Sequence, residues 1–108
     1  MLTLKHYELL IALAEELHFG RAGGRLSISQ PQLTLQLQQM EEIVGTLLFE
    51  RTRRRVALTP AGAMILPEAR AVLRHARRAE DVALRAGKGQ LGELAIGGTA
   101  VGTGLNTK

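Results

Sequence analysis

The sequence predicts a mainly α protein, a winged helix-turn-helix followed by a long linker helix through which the chain dimerises. Three observations carry that prediction. Residues 27–59 read as a capped amphipathic helix running into an arginine-studded hairpin. A shorter periodic segment and a serine-flanked turn precede that helix, the spacing of a helix-turn-helix. After the hairpin, an alanine-rich seam with alternating spacings of four and three is sustained for about three heptads.

In the first helix Leu4, Tyr7, Ile11 and Ala14 recur at helical spacing, with Leu10 and Leu17 on the adjoining stripe and Lys5, Glu8, Glu15 and Glu16 outward. The second helix places Phe19, Ala22 and Leu26 on one face before Ser27-Ile28-Ser29 interrupts it, with Ile28 expected to plug the core. Its start is expected to be weak, because His18 stands where a serine or threonine cap is usual. Gly23 and Gly24 should soften it further, at about 1 kcal/mol each against alanine. The third helix begins clearly: Ser29 followed by Gln32 fits a capping box, with Pro31 tolerated in the first turn. Leu33, Leu37, Met40 and Val44 form its buried stripe, Gln30, Gln32, Thr34, Gln36, Gln38 and Gln39 carry amides or a hydroxyl elsewhere, and Gly45 ends it.

Leu47–Glu50 and Val56–Leu58 then read as a hairpin whose tip, Arg51 to Arg55, is cationic. Thr59-Pro60 caps and opens a long helix to about Ala86, roughly 40 Å at 1.5 Å per residue. Ile65, Ala69, Val72, Ala76, Ala79, Ala83 and Ala86 form its seam, widened by Leu66, Leu73, Val82 and Leu84. Arg70, Arg74, Arg77, Arg78, Glu80 and Asp81 fall where solvent or cross-helix ion pairs would be. Alanines allow close approach but bury little area, so the seam needs larger contacts beside it. Pro67 predicts a mild kink between Gly62 and Pro67. The competing reading is a helix folded back on its own domain. The organisation that follows is 1–58 winged helix-turn-helix, 59–87 linker and dimerisation helix, and 88–108 a glycine-rich stub.

A chain of 108 residues fits one domain, and the absence of cysteine excludes disulfides, thiolate metal sites and a cysteine nucleophile while suiting a cytoplasmic setting. The charged opening residues resemble no signal peptide, and no apolar run reaches membrane-spanning length, so no membrane partner is expected. His6, His18 and His75 are isolated, which leaves no metal site, no cofactor and no catalytic set; the chain is not expected to be an enzyme. The net charge of +4 is uneven, with Arg51, Arg53, Arg54 and Arg55 packed into five positions. Such a cluster is self-repelling unless an anion compensates, and duplex phosphates would do so with release of counterions. The competing reading is a solvated turn. Glutamine amides pair with adenine edges in a major groove and threonine offers a hydroxyl or a methyl, although glutamine is also an ordinary helix former.

Phe19-Gly20-Arg21-Ala22, Leu26 to Pro31, Leu33-Thr34, Leu48-Phe49-Glu50-Arg51 and Leu58 to Gly62 together resemble the N-terminal DNA-binding domain and linker helix of LysR-type transcriptional regulators, from residue 1 to about 97. That resemblance implies a sequence-specific transcription regulator, cytoplasmic and nucleoid-bound. It implies dimers through antiparallel linker helices that read an inverted-repeat operator, assemble further on DNA, and answer to a small-molecule effector when a full-length form exists. Carried onto this sequence, it implies DNA contacts at Ser29, Gln30, Pro31, Gln32, Thr34 and Gln36, a wing at Arg51, Arg53, Arg54 and Arg55, and a phosphate contact at Arg21. It implies dimerisation along Ile65, Ala69, Val72, Leu73, Ala76, Ala79 and Ala83. Leu35 departs from the family by standing where arginine is usual, removing a cation to guanine or phosphate. Gln32 replaces a small residue, and its capping role competes with base contact.

From Gly87 onward lie seven of the twelve glycines. Residues 89–97 resemble the strand leading into the family's effector domain, and residues 97–106 resemble a tract of class II fumarases and aspartases without their catalytic set. The rival to a DNA-binding regulator is therefore a helical interaction module or fusion fragment with no activity of its own.

Overall fold

The computed structural model describes residues 1–89. Its elements run α1 (Leu4–Glu16), α2 (Phe19–Leu26), α3 (Gln30–Val44), β1 (Phe49–Arg51), β2 (Val56–Leu58) and α4 (Pro60–Gly87). The chain divides into two units, Met1–Arg74 and His75–Lys108. The first is a winged helix-turn-helix whose wing is antiparallel, pairing Phe49 with Leu58, Glu50 with Ala57 and Arg51 with Val56.

Each of its first three helices starts on a side chain that satisfies an otherwise orphaned backbone N–H. In α1 the Thr3 hydroxyl accepts from His6 N–H and His6 Nδ1 accepts from Thr3 N–H, at 3.4 and 2.9 Å. His18 caps α2 directly, its Nδ1 accepting from Arg21 N–H at 3.0 Å. The expected uncapped start is thereby corrected, since an imidazole nitrogen can accept the backbone N–H in the place of a hydroxyl. In α3 Ser29 Oγ accepts from Gln32 N–H at 3.2 Å; only this half of the capping box forms, and the Gln32 amide is left at the surface.

Gly23 also departs from expectation. Ser27 takes the left-handed conformation at φ 60° and the chain turns back, Ile28 N–H donating to the Gly23 carbonyl at 2.9 Å. A Cβ at Gly23 would lie 3.0 Å from the Ile28 carbonyl oxygen, so glycine is what lets the turn close onto α2. Around Gly24 a Cβ would meet nothing within 4 Å, and there the softening stands.

The core joins Leu9, Leu10 and Leu13 of α1, Phe19 and Ala22 of α2, Leu33, Leu37 and Met40 of α3, Leu48 and Phe49 entering the wing, and Ala69 of α4. The buried stripe of α1 differs from the expected one. Tyr7, Ile11 and Ala14 pack at the rim, while Leu4 and Leu17 are 48% and 44% exposed. Because α1 is apolar on two faces, periodicity alone does not choose between them; the leucine-rich face buries more area and takes the centre.

Two side chains tie the wing to the helices by hydrogen bonds. Glu41 of α3 accepts with Oε2 from Leu48 N–H at 2.7 Å and Phe49 N–H at 3.3 Å. The nearly buried Thr59 hydroxyl donates to the Leu47 carbonyl at 2.8 Å and accepts from Gly62 N–H at 3.1 Å, capping α4 while holding the segment that leads into β1.

The first turns of α4 follow the competing reading. Ala69 is fully buried in the core, Leu73 is buried, and Ile65 packs against the core from its edge. Ala69 is therefore corrected: its small side chain sits under the first unit's own leucines and has no surface left for a partner. Arg70, expected in solvent or in a cross-helix ion pair, makes such a pair within the protomer, reaching Glu15 Oε2 of α1 at 2.6 Å. Val72 is half-buried. In the second unit Ala76 is half-buried, Ala79 and Ala83 are exposed, and Arg85 pairs with Asp81 at 3.2 Å. The glycine-rich stub lies, from residue 90, outside the described residues, and with it the fumarase-like tract. Among the described residues no helix is long and apolar enough to cross a membrane.

Candidate nucleic-acid interface

The buried stripe of α3 fixes what its outer face presents. With Leu33, Leu37 and Met40 turned to the core, a 100° step per residue directs Pro31, Leu35, Gln38 and Glu42 outward and sets Gln30 and Thr34 on one flank, Gln32 and Gln36 on the other. Gln30, Pro31, Thr34, Leu35 and Gln38 line one shallow depression. Three of the expected contact residues thus share a site. Gln32 and Gln36 stand one turn apart along the opposite flank, Gln32 exposed and Gln36 half-buried. The Ser29 hydroxyl is engaged in capping.

Gln38 was absent from the expected contact set, although its amide lies two turns from Gln30 on the same side, a relation that i, i+4, i+8 arithmetic exposes. Glu41 was likewise unmarked as a support of the wing; its bonds are to backbone atoms of a distant segment, which sequence spacing does not announce.

The wing tip is Thr52 to Arg55, closed by Thr52 N–H donating to the Arg55 carbonyl at 2.9 Å and by Arg54 N–H donating to Thr52 Oγ1 at 3.3 Å. Arg51 belongs to β1, not to the tip, which corrects the expected hairpin boundary. Alternation along the strand gives it the same face as the buried Phe49. Its guanidinium carbon sits 4.5 Å from the centroid of the Phe19 ring, a cation–π contact joining β1 to the start of α2. Arg53, Arg54 and Arg55 are exposed, and none of them appears in an ion pair among the described residues.

Arg21 and Arg25 of α2 and Arg70 of α4 are engaged by two carboxylates at the end of α1. Glu15 meets Arg25 and Arg70, each at 2.6 Å. Glu16 meets Arg21 and Arg25 at 3.4 Å, and its backbone carbonyl accepts from Arg21 Nη2 at 3.1 Å. The hydrogen bonds from Arg70 and then Arg25 hold the Glu15 carboxyl below the usual carboxylate range, and Glu15 in turn raises Arg25. Arg21, expected on a phosphate, is thus tied back to α1, although its side chain keeps 62% exposure. The arrangement leaves an amide-bearing helix face and, from the wing, a compact cation-rich tip.

Comparison with known proteins points the same way. A family model described as bacterial regulatory helix-turn-helix protein, lysR family, matches residues 4–63. The chain is 46% identical over 99 residues to the HTH-type transcriptional regulator YnfL of Escherichia coli strain K12, covering 92% of this chain and 33% of that protein. It is 44% identical over 96 residues to the regulator AlsR of Bacillus subtilis strain 168, covering 89% and 32%. The chain therefore spans about a third of the length of these curated relatives. Among solved structures, full-length OxyR from Pseudomonas aeruginosa, as a point variant, is similar at TM-score 0.77 and 41% identity, over 84% of this chain and 30% of that one. The DNA-binding domain of CbnR in complex with DNA is similar at TM-score 0.75 and 36% identity, over 80% and 99%. That of BenM on benA site 1 DNA is similar at 0.76 and 33%, over 82% and 99%.

Proposed function

Because the chain belongs to the lysR family of bacterial regulatory helix-turn-helix proteins, we propose that it binds duplex DNA with sequence preference and regulates transcription as a homodimer, without catalysis of its own. The observation that carries this reading is that one winged helix-turn-helix combines an exposed amide face on α3 with an arginine-bearing tip on a wing that Glu41 ties to the same helix. The structures of CbnR and BenM domains on DNA support it by likeness. In this reading α3 enters the major groove, with Gln30, Pro31, Thr34 and Gln38 toward base edges, Gln32 and Gln36 along the groove wall, and the Ser29 end of the helix toward a phosphate. Arg53, Arg54 and Arg55 contact phosphates or the minor groove beside it, and Arg21 exchanges Glu16 for a phosphate.

The dimer forms through α4 along Val72, Ala76, Ala79 and Ala83, with Ile65 and Leu73 at its margin, and sets two copies of α3 against an inverted repeat in the bacterial cytoplasm. A small-molecule effector enters only for a longer form of the chain, by analogy with relatives about three times its length.

The test is a gel shift on duplexes selected from a random pool, repeated at rising salt. Selection of a repeated half-site, with affinity falling as salt rises, is the expected result. Equal retention of all duplexes, or no retention at low salt, would refute the reading and favour a helical interaction module.

A further inference from the structure

The outward arc of α3 is not uniformly polar. At its middle stands Leu35, 54% exposed, with Pro31 one turn before it; Thr34 and the amides of Gln30 and Gln38 complete the same depression. The apolar stripe that packs α3 into the unit is already complete with Leu33, Leu37 and Met40, so Leu35 contributes nothing to the core. A leucine in the centre of a groove-facing surface acts on whatever that surface meets. On the floor of the major groove the apolar feature is the C5-methyl of a pyrimidine, and the amides flanking Leu35 are suited to the adenine edges that accompany thymine.

We infer that Leu35, with Pro31 beside it, reads a thymine C5-methyl group in each half-site and so shifts the preference of this helix toward A·T at the base pair it faces. The inference rests on the reading of α3 as the groove helix. Cationic anchoring of the complex falls to the wing, which leaves the centre of α3 free to be apolar.

The experiment uses the intact chain and its selected duplexes, with each thymine replaced in turn by deoxyuridine, a change that removes the methyl and keeps every hydrogen-bonding group. One thymine per half-site should respond, its replacement weakening binding about fourfold, the transfer value of one methyl group. Leu35→Ala should bind the parent duplex more weakly and show no thymine-over-uracil difference at that position. Leu35→Arg should move the preference at the same pair toward guanine.

Both variants alter an exposed position, and a circular dichroism melt matching the parent establishes that each is folded. Specific binding with every uracil replacement neutral would overturn the inference while leaving the groove reading intact. So would a Leu35→Ala variant that keeps the parent's thymine preference. Selected sites with cytosine at that pair, tighter only on 5-methylation, would overturn the thymine assignment. Failure to select any sequence would remove both the inference and the groove reading.

Discussion

Any side chain at position 62 would run into the Leu48 carbonyl oxygen and come within 2.7 Å of Leu58 Cδ2. That carbonyl also accepts from Thr59 N–H at 3.0 Å, so it is not free to retreat. Gly62→Ala should therefore destabilise the fold by about 2 kcal/mol or more, the overpacking loss exceeding the helix-propensity gain. A raised melting temperature would refute this account of the site. The paired glycines of α2 separate in the same way. Gly24→Ala has open space and should stabilise by about 0.5–1 kcal/mol, whereas Gly23→Ala presses on an Ile28 backbone already held to residue 23 and should lower the melting temperature. If the two melts moved together, steric closure of the turn would not be what distinguishes these residues.

Among the elements, the wing depends on α3 through one carboxylate. Glu41→Ala would strand the Leu48 and Phe49 amide donors at a part-buried junction, at about 1–3 kcal/mol for an unsatisfied group. It should weaken duplex binding and speed amide exchange at Leu48 and Phe49, while exchange in α1 changes less. The α1 carboxylates make a different link, to α2 and α4, and this one is titratable. Glu15 has a folded-state pKa lowered by Arg70 and Arg25. Its contribution is present above the ordinary value of 4.5 and is lost as pH falls through the lower folded value. Glu15→Gln should thus reduce the melting temperature near neutrality, with the gap narrowing below that ordinary value and closing only once pH has fallen past the lower folded value; a constant offset across pH would sink the linkage. Helix order, the α3 stripe and the Thr59-Pro60 start were legible in the sequence, because caps and a single apolar stripe are local signals. The α1 stripe, Ala69, Arg51 and Glu41 were not. Their roles come from which of two apolar faces meets a partner, or from a neighbour distant along the chain, and neither leaves a spacing to read.

At the scale of the whole molecule, a formal charge of +4 understates how unequally the cations are placed. Arg25 and Arg70 share Glu15, Arg21 and Arg25 share Glu16, and Arg51 lies over the Phe19 ring. In the first unit the cations best placed to release counterions from DNA are therefore Arg53, Arg54 and Arg55, since Leu35 supplies none on α3. Each phosphate contact contributes about 0.9 to the slope of log affinity against log salt. Arg53→Ala combined with Arg54→Ala should flatten that slope by about 2 while leaving the melting temperature unmoved. Arg51→Ala provides the contrast. Removing its contact with Phe19 should lower stability by about 0.5–1 kcal/mol and weaken binding in parallel at every salt concentration, with the slope retained. Were Arg51→Ala to flatten the slope as much as the tip variants do, its guanidinium would leave the ring for a phosphate on binding, and the division of labour between strand and tip would be wrong.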